Sequence, residues 1–261
     1  MMKDRAFMED LIQRAKRANC GALVLTVDLQ MIGQRHKDIK NGLSTPPKIT
    51  LKNWLEFVYK YPWSRGILHT HRRFFGNIAG YANNVSDISS LSAWTNEQFD
   101  KKLNWQDVSW VRKRWDGPLI IKGIMEIDDA KHAVKCGADA IVVSNHGGRQ
   151  LDGAPSSISV LPEIVKAIRE IDNSFPILID GGIRSGQDIL KAIALGAHAA
   201  LVGRSYIYGL GAFGEKGVQK ILSILQDELS CSMAFCGVTE MDKVSRSILR
   251  RNPMNELLDS L

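Results

Sequence analysis

Short apolar runs alternate with helical patterns along most of this chain. Residues 4–18 (DRAFMEDLIQRAKRA) put Phe7, Leu11, Ile12 and Ala15 at helical spacing behind Asp4, a good N-cap residue, so the chain opens on a predicted helix. The next run, Ala22 to Val27, is apolar, partly β-branched and of strand length, and reads as a fully buried strand ending in Asp28. Four runs of the same kind follow: Pro118 to Lys122 (PLIIK), Ala140 to Ser144 (AIVVS), Pro176 to Asp180 (PILID) and Ala199 to Val202 (AALV). Helical patterns stand behind the first three, near Ile127 to Cys136, Ser159 to Ile171 and Gly186 to Leu195; the last run leads to a longer helix near Gly214 to Ser232. This alternation implies parallel strands joined by right-handed crossovers, in a barrel or a doubly wound sheet. Asp28, Lys122, Ser144 to His146, Asp180 and Gly203-Arg204 all fall at the carboxyl end of a strand, where parallel α/β architectures assemble their sites.

One stretch breaks the short-loop pattern. Between the first and second strands, Leu29 to Gly117 holds a polar loop (GQRHKDIKNGLSTPPK), helical pieces near Leu51 to Tyr59 and Glu97 to Leu103, and a small, polar segment from Asn83 to Ser92. Loops of that length usually serve as lids or carry function. The expectation is a single domain over residues 1–261 with a lid insertion at about 29–117, because the apolar content of the insertion is low for a separate domain.

Composition narrows the classes. With 261 residues, 44% of them hydrophobic, the chain can bury one sizeable core. No apolar run approaches the roughly 20 residues needed to cross a bilayer, and the mixed charges of Met1 to Arg5 do not resemble a secretory signal. Cys20, Cys136, Cys231 and Cys236 lack CxxC spacing and read as free thiols of a reducing, cytoplasmic setting. Lys and Arg total 34 against 28 Asp and Glu, a net +6. These basic residues are spread along the chain, with one denser patch from Arg65 to Arg73 (RGILHTHRR), and no RNA-binding motif or zinc-finger spacing accompanies them. A nucleic-acid partner is therefore not expected; a solvated face with anion-binding arginines is. His69, His71, His132 and His198 show no metal-ligand spacing, and no metal is expected.

The chemistry concentrates in three places. Ser144-Asn145-His146-Gly147-Gly148-Arg149-Gln150-Leu151-Asp152 follows a strand directly; a histidine and an arginine three residues apart, with glycines between, suit proton abstraction beside a carboxylate. The bland alternative has His146 capping a turn and Arg149 pairing with Asp152. Asp180-Gly181-Gly182-Ile183-Arg184-Ser185-Gly186 ends a strand and opens a helix, so close backbone approach, helix amides and an arginine read as a phosphate cradle, with Gly203-Arg204 on the next strand as its partner. Lys122 emerges from a buried strand and needs an anion or a polarisable ligand; the structural alternative is a salt bridge with Asp180 or Glu126. Asp28 can orient His146 by accepting from its second ring nitrogen.

Taken in order, ALVLTVD, IIKG, SNHGGRQLDGA, DGGIRSG and VGRSYIYG closely resemble the FMN-dependent α-hydroxy acid dehydrogenases and oxidases, and GQRHKDIKNGLSTPPKITLKN is most similar to their L-lactate dehydrogenase branch. The resemblance runs from Lys3 onward. It implies a TIM (β/α)8-type barrel with FMN at its carboxyl mouth. His146 would be the base and Asp28 its partner; Arg149 would anchor the substrate carboxylate, with Arg35 a second substrate-side arginine. Lys122 would lie near the flavin N1 and C2 carbonyl. Thr26 and Ser144 would also contact the cofactor, and Asp180, Gly181, Gly182, Ile183, Arg184, Gly203 and Arg204 would hold its ribityl phosphate end. The implied reaction is oxidation of an L-α-hydroxy acid, most simply L-lactate to pyruvate, with electrons passed to a quinone, a cytochrome or oxygen. The resemblance further implies a homo-oligomer and a peripheral place at the inner face of the cell membrane, where the Arg65 to Arg73 patch would touch anionic lipid.

The chain departs from the family pattern at its start. Family members carry a longer N-terminal portion with the first three strands and two active-site tyrosines, whereas only about five of the eight βα units of such a barrel are visible here. The expectation is thus the C-terminal portion of the domain, an incomplete barrel whose edge strands are exposed. Two other readings follow from the same residues: an inactive remnant that at most binds FMN or phosphate, and an FMN-dependent isomerase, which the His146 and Arg149 pair disfavours.

Overall fold

The structure, a computed structural model, describes residues 1–31, 33, 36, 40–41, 51–70, 76–78 and 97–250. The chain divides into two compact units, one of Met1–Cys20 with Leu29–Leu103, the other of Gly21–Asp28 with Asn104–Leu261.

In the first unit, α1 (Arg5–Arg17) begins where expected. Asp4 Oδ1 accepts from the amides of Ala6 at 2.9 Å and Phe7 at 3.0 Å, and Arg14, Lys16 and Arg17 fill the last turn, where cations favour the helix dipole. Phe7 and Ile12 are buried. Two further helices, α2 (Leu51–Tyr59) and α3 (Tyr61–His69), leave Trp54, Leu55, Val58, Tyr59, Tyr61, Trp63 and Leu68 exposed. The helix expected near Glu97 to Leu103 is helical only at 97–98. Phe99 instead bridges Met2 in antiparallel fashion, Asp100 pairs with Arg5 at 2.9 Å, and Asp100 Oδ1 accepts from the Lys102 amide. An aspartate bonding the amide two residues on favours a turn over a helix. The polar segment expected at Asn83 to Ser92, and Arg35, lie outside the described residues.

The second unit is a parallel sheet with helices between its strands. Its strands are β1 (Leu23–Thr26), β2 (Leu119–Ile124), β3 (Ala140–Val143), β4 (Ile177–Ile179) and β5 (Ala199–Ala200), paired in chain order with every neighbour parallel. The intervening helices are α4 (Trp105–Arg112) ahead of β2, α5 (Ile127–Lys135), α6 (Ser157–Arg169) and α7 (Gly186–Ala194), followed by α8 (Arg204–Phe235). The core is aliphatic: Leu119, Ile121, Ile124, Ile141, Ile177 and Ile179 from the strands and Leu161, Ile164 and Ile168 of α6 are all essentially inaccessible. Burying such side chains contributes on the order of 2 kcal/mol each.

Burial falls off toward the edges. All four residues of β3 are buried, but in β1 only Leu25 is, and Val24 is 50% exposed. The fully buried first strand expected from its apolar run is therefore not found; among the described residues β1 pairs with β2 alone, and an edge strand covers less of itself. The short β5 is likewise open to solvent. Two helices differ from expectation. The unexpected α4 is announced by a reciprocal capping box, in which Asn104 Oδ1 accepts from the Gln106 amide and Asp107 Oδ2 accepts from the Asn104 amide. The last helix begins at Arg204 rather than near Gly214; Phe213 and Gly214 (φ +60°) break it into two segments, so the expected start is the internal kink. Residues 204–212 (RSYIYGLGA) hold glycines and aromatics of low helix propensity, which hid the first segment.

Candidate active site at the carboxyl ends of the strands

The site starts from a defect in β2. Lys122 is opposite Val142 and Ile124 is opposite Val143, so Gly123 is an extra residue, a bulge at φ +108° that only glycine adopts readily. Just before the bulge, Lys122 Nζ donates to Ser144 Oγ at 2.7 Å and pairs with Asp180 Oδ2 at 2.8 Å. Ends of β2, β3 and β4 are thereby joined by one ammonium. Ser144 is fully buried, and its Oγ also accepts from the His146 amide at 3.2 Å. The salt bridge with Asp180, the alternative to a ligand-facing lysine, is present. It leaves Asp180 Oδ1 buried with no hydrogen-bond partner, an acceptor still open to a donor.

The loop after β3 turns the histidine inward. His146, Gly147 and Gly148 have φ of +58°, +66° and +73° in succession. For His146 this left-handed conformation costs on the order of 1 kcal/mol, a strain that collects at functional sites. Asn145 holds the turn from within: its Oδ1 accepts from the Gly148 amide at 3.1 Å and its Nδ2 donates to Pro155 O at 2.9 Å. The ring reaches Asp28 at the end of β1, Nδ1 to Oδ1 at 3.3 Å, with both side chains largely covered. An acceptor at Nδ1 selects the tautomer with its proton there and leaves the Nε2 lone pair available as a base. Gln150 Nε2 donates to Asp28 O at 3.1 Å. Arg149 is exposed, as is the Arg184 side chain, while Thr26 is half-buried at the end of β1.

At the ends of β4 and β5 the backbone narrows to glycine. Gly181 (φ +92°) sits where a Cβ would come within 2.8 Å of Ser157 Oγ, whose hydroxyl donates to Asp180 O. Gly147, Gly148, Gly181, Gly182, Ile183 and Arg204 line a cavity of about 530 Å³. Arg204 crosses to the other loop, its Nη2 donating to Gly147 O at 2.9 Å. The amides expected to cradle a phosphate at the start of α7 are already engaged. Asp188 Oδ2 accepts from the amides of Arg184 (3.0 Å) and Ser185 (3.1 Å), and Glu228 Oε2 from α8 accepts from Gly186 at 2.9 Å. Two internal carboxylates thus occupy the positive end of that helix, which leaves the arginine side chains, the glycine turn and the start of α8 as the elements open to an anion.

Residues 1–251 match the FMN-dependent dehydrogenase family. The chain belongs to that family. Curated relatives named L-lactate dehydrogenase, from Caulobacter sp. (strain K31) and Alcaligenes faecalis, are each 40% identical over 256 and 255 residues. Those alignments cover 96% and 97% of this chain but only 65% and 66% of the relatives, so the chain spans just under two thirds of their length. Among solved structures, the monotopic membrane protein (S)-mandelate dehydrogenase superposes with a TM-score of 0.87 at 32% identity over 95% of this chain and 65% of that one. The five-stranded sheet is thus an FMN-dependent dehydrogenase fold, an incomplete barrel of the expected kind. Among the described residues no helix is long and apolar enough to cross a membrane.

The residues around the mouth suit the cofactor in this family's name. The open acceptor on Asp180, the ammonium beside it, and a cleft whose walls at 147, 148, 181 and 182 carry no side chain fit a flat, hydroxylated, phosphorylated ligand. Four contributors escaped the reading of the sequence. Gly123 had a usable signal, since a lone glycine inside a strand pattern marks a bulge. Asn145 and Gln150 lie in a motif already singled out; Asn145 bonds within its own loop, to Gly148 and Pro155, whereas the bond of Gln150 to Asp28 spans 122 residues. Glu228 reaches the site from 42 residues beyond Gly186, and no local pattern could have found it.

Proposed function

We propose that this chain carries the acid–base and cofactor-holding machinery for FMN-dependent oxidation of an L-α-hydroxy acid, L-lactate to pyruvate being the preferred reaction. The observation that carries this reading is the Asp28–His146 pair, Nδ1 of the ring facing the carboxylate, beside the Lys122–Asp180–Ser144 cluster. The names of the 40% identical relatives support lactate as the substrate.

In this reading Nε2 of His146 takes the proton of the substrate's α-hydroxyl as the carbonyl forms, and Asp28 stabilises the resulting imidazolium. Arg149 would pair with the substrate carboxylate; Arg35, the second substrate-side arginine of the family resemblance, lies outside the described residues. Thr26, Lys122, Ser144, Asp180, Gly181, Gly182, Ile183, Arg184, Gly203 and Arg204 would hold FMN. Bound FMN supplies the acceptor for the two electrons that leave the α-carbon with its hydrogen. Of the residues that hold it, the Lys122 ammonium would supply positive charge to the bound group, and Asp180 Oδ1 would accept a donor it lacks in the protein alone. Electrons would leave to a quinone or a cytochrome.

The anaerobic visible spectrum of the FMN-reconstituted chain, recorded before and after L-lactate, tests this. A flavin spectrum that lactate bleaches is expected. Bound flavin that lactate leaves oxidised would overturn the α-hydroxy acid oxidation and leave a binding protein.

A peripheral membrane location belongs to the same reading. Support comes from α2 and α3, whose exposed Trp54, Leu55, Tyr59, Tyr61 and Trp63 stand beside exposed Lys60 and Arg65, and from the monotopic membrane character stated for mandelate dehydrogenase.

A further inference from the structure

Asp28 faces His146 because two neighbours hold it there, and neither enters the chemistry above. A Cβ placed on Gly123 would lie 2.9 Å from both Cβ and Cγ of Asp28 and 3.0 Å from its amide nitrogen, closer than real Cβ atoms approach. Asp28 has little room to retreat. On one side the Val27 amide donates to Lys122 O at 2.8 Å; on the other Gln150 Nε2 donates to Asp28 O at 3.1 Å. A methyl group at 123 must therefore displace the Asp28 side chain, and the 3.3 Å contact from Oδ1 to Nδ1 is already at the long end of hydrogen bonding. The same bulge takes β2 out of its alternation immediately after Lys122.

We propose that Gly123 and Gln150 are positioning residues that together seat the Asp28 carboxylate against Nδ1 of His146, while the Gly123 bulge sets the direction of Lys122. The proposal rests on the reading of His146 as the base. One glycine thereby ties the proton-handling side of the site to its cofactor side: its missing side chain makes room for Asp28, and its positive φ aims the lysine.

The test uses the full chain with ¹⁵N-labelled histidine. The Nδ1–H signal of His146, assigned as the one absent from His146→Gln, reports the Asp28 contact without FMN or substrate. Gly123→Ala and Gln150→Met are expected to shift or lose that signal as Asp28→Asn does. Gly237→Ala is the control for backbone strain, because Gly237 also has positive φ (+69°) but a Cβ there meets open space at the end of α8. It is expected to keep the signal. In the FMN-loaded protein, Gly123→Ala should lower kcat about 10²-fold, the scale of a catalytic group misplaced by about 1 Å, with KM changed less than about three-fold. Should Gly123→Ala fail to fold, Gln150→Met decides alone. Folded variants that keep the His146 signal unchanged would overturn the proposal, as would its loss in Gly237→Ala. If lactate leaves the wild-type flavin oxidised, the functional reading fails while the histidine signal still decides this one.

Discussion

Taking the Lys122 ammonium out of water costs several kcal/mol, and the site offsets that cost with a carboxylate at 2.8 Å and a hydroxyl at 2.7 Å. Removing one partner strands the other. Lys122→Met leaves Asp180 with a second unpartnered oxygen beside the one it already has, and is expected to lower stability by about 3 kcal/mol in urea denaturation. Asp180→Asn is expected to be costly on its own, but the double variant should be less destabilised than the sum, because neither charge then remains uncompensated. Strict additivity would show that the two groups do not form a pair in solution. His146 poses a different question, since it is held in a strained backbone by a loop rather than by burial. His146→Gln is expected to retain FMN while slowing lactate-driven bleaching by about 10²- to 10⁴-fold, the usual contribution of a general base. Stopped-flow absorbance under anaerobic conditions measures it, and an unslowed rate would remove the base from His146.

Helix α7 shows how an element can be read from the local sequence while its long-range partner cannot. Its position follows from the spacing of Ile189, Leu190 and Ile193 and from the Ser185 and Asp188 capping box, all within ten residues. The bonds of its first amides to Asp188 are local too, but that Glu228 takes the Gly186 amide depends on α8 returning from far along the chain. The same division holds elsewhere. The order of the strands, the Asp4 cap and the strand-end cluster of Asp28, Lys122, Ser144, His146 and Asp180 were legible because periodicity and turn chemistry are local. The exposure of Val24, the bulge register at Gly123 and the kink at Phe213–Gly214 were not, because each is decided by which neighbour lies alongside. Packing of α8 on α7 is correspondingly tight. A Cβ on Gly186 would meet the Leu229 amide nitrogen at 2.0 Å and the Glu228 carbonyl carbon at 2.4 Å, backbone atoms that cannot step aside. Gly186→Ala is therefore expected to cost up to about 3 kcal/mol by overpacking, against about 1 kcal/mol for Glu228→Ala, which removes one charge-assisted cap. Denaturant midpoints for the pair would test the ranking, and equal losses would place the contribution of this contact in the cap alone.

At the scale of the whole molecule, the peripheral membrane location proposed above rests on the surface chemistry of α2 and α3. Trp54, Tyr59, Tyr61 and Trp63 are each more than half exposed, and the neighbouring Lys60 and Arg65 are exposed as well. Amphipathic aromatics beside cations match the interfacial zone of a bilayer, where rings sit among headgroups and basic side chains meet anionic lipid. Both contributions are needed, and they separate experimentally. Each cation near an anionic surface adds about 1 kcal/mol and is screened within a Debye length of about 8 Å at physiological salt, whereas burial of an indole ring is not weakened by salt. Co-sedimentation with phosphatidylserine-containing vesicles is therefore expected to weaken as salt rises and to weaken about thirty-fold in a Lys60→Gln/Arg65→Gln variant, with phosphatidylcholine vesicles binding less from the start. Trp54→Ser/Trp63→Ser should lower binding to both lipids by a similar factor while keeping the salt dependence. Binding that ignores both pairs of substitutions would mean that α2 and α3 do not meet the membrane, and that their exposed rings face another protein surface instead.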